Sequence, residues 1–364
     1  MRCSIIVQQK VWKSRGRIRC LVKESCSRRL LRIWSYVNCL CLKPKSTASI
    51  SYKVLILSIT LLNWLRPVGS SLELQGHSLS AGSVPVRHHY IPTFYLRQWA
   101  GADGRLVQFS RPHHQLARKR KHPEAMGYQD DLYALPGLPG ELQHWLEVVF
   151  LKQADQEADD ALQYLLADQL DLPPKLKSGW SRFIMTLFSR TPERIAELRA
   201  TYEAEVANRM DTLSRLYDED HANDEKSPSP EQKAADILRG NELATGQLLQ
   251  RVMDLPGVGH HLNNMPWAVF NIPNGDRSLL TSDRPAHLSG GLQNNDSHII
   301  LPISPTKLFV AANDRSLFRS VERMSPSDST QQVNLLVASN AKRYVYATDD
   351  FQRNFIDRYF RPAQ

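Results

Sequence analysis

Cysteine is missing from almost the whole chain. All five, Cys3, Cys20, Cys26, Cys39 and Cys41, lie in the first 41 of 364 residues, so residues 88–364 can hold no disulfide framework, no cysteine-based zinc site and no thiol nucleophile. The strong catalytic signatures are missing too: there is no glycine-rich phosphate loop, no His-Glu-x-x-His helix, no Gly-x-Ser-x-Gly turn and no EF-hand pattern. Nothing after residue 87 approaches the roughly 20 apolar residues of a membrane-crossing helix. The one apolar run, residues 54–65, has 12 residues and as a helix would span roughly 18 Å of an approximately 30 Å hydrocarbon layer. As the apolar region of a signal peptide it starts too late.

A net charge of +9 and a pI of about 9.3 ordinarily suggest a nucleic-acid or anionic-membrane partner. The distribution of that charge argues otherwise. Residues 1–87 carry 15 basic and 2 acidic residues, a net of +13, whereas residues 88–364 carry 31 and 35, a net of −4. The first 87 residues show neither helical nor alternating period. They are expected to be a basic, cysteine-containing extension that is disordered and dispensable, or upstream sequence read from too early a start. The mildly acidic body, residues 88–364, is expected to be cytoplasmic, with no membrane partner, no strong nucleic-acid signal and an oligomeric state the sequence does not specify.

The body reads as α+β, a mainly helical block packed with a small antiparallel or mixed sheet. Asp103-Gly104 is a turn signal that predicts a short hairpin around residues 105–110. The basic run Arg118-Lys119-Arg120-Lys121, beside His113, His114 and His122, has no accompanying aromatic ladder and reads as a solvated loop rather than a nucleic-acid patch. Apolar residues at three- and four-residue steps predict a long amphipathic helix over 141–168 and a second over 175–189. A third starts with Thr191 as N-cap and Pro192 at the first helical position. Residues 218–231, charged and rich in Ser and Pro, predict an exposed linker, and a helix is expected over 232–253. Four β-prone stretches follow, 268–272, 277–281, 298–303 and 307–312, then helices over 333–343 and 350–360.

The opening of the body, His89-Tyr90-Ile91-Pro92-Thr93-Phe94-Tyr95-Leu96-Arg97-Gln98-Trp99, resembles that of a mainly bacterial family catalogued as domain of unknown function 4238, whose members begin with His-x-x-Pro-x-x-Tyr-Leu. The likeness continues at Leu146-Glu147, Arg190-Thr191-Pro192, Thr281-Ser282-Asp283-Arg284-Pro285, Leu301-Pro302-Ile303-Ser304-Pro305, and from Asn334 through Ala341 to Tyr346. The resemblance implies relatives without implying a reaction.

Within those motifs the chemistry-bearing residues are His89, Glu147, Arg190 and Asp283, and His88 stands directly before the first. The three adjacent histidine pairs are poor chelators, because sequence neighbours point apart on helices and strands alike. Glu147 lies among apolar neighbours, so it must be partnered or perturbed, and Arg190 is the expected partner. Asp283 follows a predicted strand, where it either caps a turn or is held for chemistry. Two functions from different classes fit. One is a metal-dependent hydrolase, acting on phosphodiesters, with Glu147 and Asp283 on a divalent metal ion and His88 or His89 as general base. The other is a non-enzymatic binding module in which these groups are structural. The first requires His89, Glu147, Arg190 and Asp283 to converge on one concave polar pocket.

Overall fold

The computed structural model describes residues 87–361 apart from 137, 139, 221–228 and 274–276. The expectations for the N-terminal extension fall outside these residues. The chain enters through β1 (Arg87–His89), after which extended backbone at Pro92 leads into the short helix α1 (Thr93–Leu96) and a 3-10 turn, Arg97–Trp99. Then come β2 (Leu106–Ser110), β3 (Ala117–Lys121) and β4 (Tyr128–Asp130). Gly104 supplies the positive φ of the expected turn, but the hairpin that forms joins β2 to β3.

The basic run is therefore β3 and not a loop. It is the outer strand of an antiparallel sheet ordered β3-β2-β10-β6, where β6 is Thr281–Ser282 and β10 is Val345–Ala347. Lysine and arginine on an exposed edge strand discourage further strand pairing, which gives this charge a structural reason.

The helical block begins with α2 (Gly140–Gln143), passes through a π-helical segment, Leu146–Leu151, and continues as α3 (Lys152–Leu166). Against α3 lies α4 (Pro174–Ser189). Ala154, Ala158 and Ala161 on α3 are buried, and a Cβ on Gly179 of α4 would sit 2.8 Å from that of Glu157. Small residues thus set how closely these two helices approach. After α4 come α5 (Pro192–Asn208), α6 (Met210–Asp220) and α7 (Pro230–Met253). The helices at its two ends take up part of the expected linker, and Ser229 and Gln232 close α7 with a capping box. Helix α8 (Pro256–Asn264) had no counterpart in the sequence reading.

A second antiparallel sheet, ordered β5-β9-β8-β7, uses β5 (Trp267–Asn271), β7 (His287–Ser289), β8 (His298–Ser304) and β9 (Lys307–Ala312). Of the expected strand at 277–281 only its end forms, as β6. Three helices complete the chain: α9 (Ser316–Arg323), α10 (Pro326–Asn340) and α11 (Arg353–Tyr359). Val107 and Phe109 of β2, Val310 of β9, Val337 of α10 and Phe360 share one apolar core. Rings of Trp180 and Phe309, 5.5 Å apart, join the helical block to the second sheet. Fold class is thus α+β with antiparallel sheets.

Side chains from distant elements converge on residues 278–283. Tyr95 donates to the Pro302 carbonyl at 2.7 Å, and its single proton thus spent, it accepts from Thr281 Oγ1 at 2.8 Å. Trp99 Nε1 donates to the Leu279 carbonyl at 2.8 Å. The Asn334 side chain accepts from Leu280 N–H at 2.8 Å and donates to Ser278 O and to Gln352 Oε1, both at 2.9 Å. All three side chains are fully buried, so each bond lost strands a polar group away from water. Asn334→Leu is expected to lower unfolding stability by about 1–3 kcal/mol or more, read from urea titration. A change near zero would show that this amide is not what holds the segment.

Candidate functional site

His88 is completely buried. Its Nδ1 accepts from the Tyr133 backbone N–H at 2.9 Å, its Nε2 lies 3.0 Å from His144 Nδ1, and its ring stacks on Tyr133. An imidazole that accepts at Nδ1 carries its proton on Nε2. His88 therefore donates to His144 Nδ1, and His144 in turn holds its proton on Nε2. Together with Asp131, an exposed residue at φ 52°, these two form the one group of potential ligand atoms gathered among the described residues, within 4.8 Å of one another. A histidine that ligates a metal donates its other ring N–H to an acceptor. Across from His88 Nδ1 stands a donor, so this group does not suit a divalent ion at His88 Nε2. Glu147 and Asp283 are not part of it.

His89, half-buried beside Tyr128, places Nε2 3.4 Å from the Glu124 carbonyl. Burial lowers its pKa, the carbonyl bond partly opposes this, and the charges of Arg190 and Arg87 lower it further.

Glu147 is carried by the π-helical segment. Burial pushes its carboxyl up to about 7, Asp155 adds to the rise, and Arg190 and the His89 backbone N–H partly offset it. Eight residues of straight α-helix turn ~800°, which would leave Glu147 and Asp155 ~80° apart around the axis. The extra residue of a π turn cancels most of that offset. Both carboxylates consequently act on one guanidinium.

That guanidinium is Arg190, at the corner where α4 ends and Thr191-Pro192 starts α5. The end of α4 favours a cation. Arg190 is fully buried; Nη1 donates to Asp155 Oδ1 at 2.9 Å, and its carbonyl accepts from Tyr133 Oη at 2.9 Å. Burial raises the Asp155 pKa, and the Arg190 contact partly reverses that. Arg190 Nε and Nη2 are buried without a hydrogen-bond partner, and so is Glu147 Oε2.

Asp283 stands apart from this group. Its Oδ1 accepts from Lys342 N–H at 3.0 Å and its Oδ2 from Arg343 N–H at 2.7 Å, so it caps the turn that follows α10. Burial raises its pKa to about 6, and those amides work against the rise. Nearby, Glu193 pairs with Arg343 at 2.7 Å and Arg284 at 3.3 Å. No hydrogen bond or ion pair joins Asp283 to His89, Glu147 or Arg190. Burial raises the pKa of the Tyr90 phenol well above its usual value, and the Asp283 charge adds to the rise.

A family described as a protein of unknown function, DUF4238, matches residues 87–351. The chain belongs to that family. No curated protein and no solved structure matches it. The family match runs from β1 past β10 and so takes in all five candidate residues, together with Tyr133, His144 and Asp155, which sequence reasoning passed over.

Glu147 sets a pH dependence whose sign follows from its raised pKa. The folded protein keeps a proton that the unfolded chain releases near pH 4.5, so this contribution is full below 4.5 and is lost as pH rises through about 7. Asp283, raised from 3.8 to about 6, acts the same way. Stability should therefore fall between about pH 4 and about pH 7 and level off above that. Glu147→Gln, which cannot ionise, should shrink that fall by on the order of 1–3 kcal/mol, measured by urea unfolding at each pH. Equal slopes for the two proteins would mean that Glu147 does not titrate in this window.

Proposed function

We propose that Glu147, Arg190 and His89 form an acid–base site for an anionic substrate, and that the protein is a hydrolase acting on phosphoryl or carboxyl esters. One observation carries this reading: a buried arginine with its Nε–Nη2 edge unmatched, next to a carboxyl group with an unmatched oxygen and a pKa near neutrality. That edge of a guanidinium is the fork that takes two oxygens of a phosphate or carboxylate. Arginine keeps its charge at any working pH, whereas Glu147 exists in both forms near pH 7. It can protonate a leaving oxygen or take a proton from attacking water. His89, its pKa lowered, offers a second acceptor. The π turn beneath Glu147 is of a kind frequent at functional sites.

No helix among the described residues is long and apolar enough to cross a membrane. With the cysteine-free body this supports a cytoplasmic location. The test uses the purified full chain with bis(p-nitrophenyl) phosphate, p-nitrophenyl phosphate and p-nitrophenyl acetate across about pH 5–9, with and without Mn²⁺. Turnover of one of these that falls by about 100-fold or more in Glu147→Gln and is impaired in Arg190→Lys is the expected result. Turnover that requires Mn²⁺ and depends on Asp283 would move the chemistry to a metal centre. Folded Glu147→Gln protein with unchanged activity would end the acid–base reading.

A further inference from the structure

Two neighbouring residues of β1 reach the same helical run through successive ties. His88 bonds His144, and the backbone N–H of His89 faces the carboxyl of Glu147, three residues further along. Residues three apart on a helix share a face, so the two ties run side by side. The first is set at the end of α2, just before the π-helical segment begins. It also has a built-in direction. The Tyr133 amide obliges His88 to accept at Nδ1, which fixes the His88 proton on Nε2 and makes His144 Nδ1 the acceptor.

We propose that His88 and His144 are positioning residues, a proton-fixed bridge that holds the Glu147 carboxyl in its water-poor place against β1. This rests on the acid–base reading of Glu147 and adds to it the device that keeps the group in register. The groups facing Glu147 are Asp155 from α3, Arg190 from the corner after α4, Tyr133 from the turn before α2, and the His89 amide from β1. Of these, Tyr133 meets the bridge through its backbone amide and through its ring, stacked on His88, while the charged groups, Asp155 and Arg190, stand on other elements. Breaking the bridge therefore changes the setting of Glu147 without removing any charge around it.

The hydrogen-bond direction dictates the variants. Asparagine Oδ1 falls where histidine Nδ1 stands, so His144→Asn retains the acceptor, whereas His144→Leu removes it. His88→Asn keeps the acceptor for Tyr133 N–H but loses the donor to His144, a milder break should His144→Leu fail to fold. The readout is the Glu147 carboxyl titration in the full chain, followed by carbon-13 NMR with a Glu147→Gln spectrum to assign the signal. The wild-type midpoint is expected near 7. It should fall by about one unit or more in His88→Asn and His144→Leu as water reaches the carboxyl, and stay within about 0.3 unit in His144→Asn.

A wild-type midpoint near 7 that does not move in folded His88→Asn overturns the bridge and leaves the acid–base reading standing. A wild-type midpoint near the ordinary 4.5 overturns both. A third measurement separates a proton from a metal between the imidazoles. Co²⁺ added to the wild-type chain should produce no stoichiometric ligand-field absorption. Such bands, lost in His144→Asn, would make this group a metal centre and overturn the proposal.

Discussion

A guanidinium buried where water cannot reach it is the constraint on which the candidate site depends. Arginine cannot shed its proton, so Arg190 must find its counter-charge in the fold. The end of α4 supplies part of it and Asp155 supplies an ion pair. A second carboxylate in the same place exceeds what one cation can balance, and burial penalises the excess charge. Glu147 is the group that gives way. Burial does most to raise its pKa to about 7, and Asp155, sharing the one base, adds to the rise. The π turn creates that competition, because on a straight helix Asp155 and Glu147 would address different neighbours.

Around this site the fold is held by segments that lack regular structure of their own. Residues 278–283 form little strand, yet side chains from the first helical turn, from α10 and from the start of α11 satisfy their backbone groups. Buried backbone polar groups need partners of some kind, and here Trp99, Asn334 and Gln352 take the place of a neighbouring strand. Motifs that lie far apart in the chain are thus in direct contact: Tyr95 reaches both Thr281 and Pro302. Since the same stretch ends in Asp283, which caps the loop leading to β10, both sheets and the helical block are referenced to one short segment.

Helices whose apolar period is long and uninterrupted were legible in the sequence, as was the α+β class; Arg190, the partner expected for Glu147, instead makes its ion pair with Asp155. The π turn shows only once burial is known: buried apolar positions run 146, 151, 154, 158, with one step of five, whereas the apolar Val148, Val149 and Phe150 hide that step in the sequence. Other features leave no local signal. Edge strand β3 is almost all basic, so its burial pattern cannot alternate, and its pairing is decided by β2. Asp155 looks like any exposed helical acid until α4 brings Arg190 to it. His144 and Tyr133 gain their roles from β1, more than forty residues away. Asp283 was legible as a turn cap or a catalytic group, and its two backbone partners follow α10 in a turn that no spacing rule connects to it.

Asp283 and Glu147 are two buried carboxylates that the fold treats differently. Burial raises both, to about 6 and about 7, so the direction of the shift separates nothing. Hydrogen-bond satisfaction does. Each oxygen of Asp283 receives a backbone amide, and a proton added there would displace a bond the fold uses. Glu147 keeps a buried oxygen with no partner, beside an arginine edge equally unmatched. Unmet buried groups cost stability, a cost that the fold leaves standing at Glu147 and Arg190 and removes at Asp283.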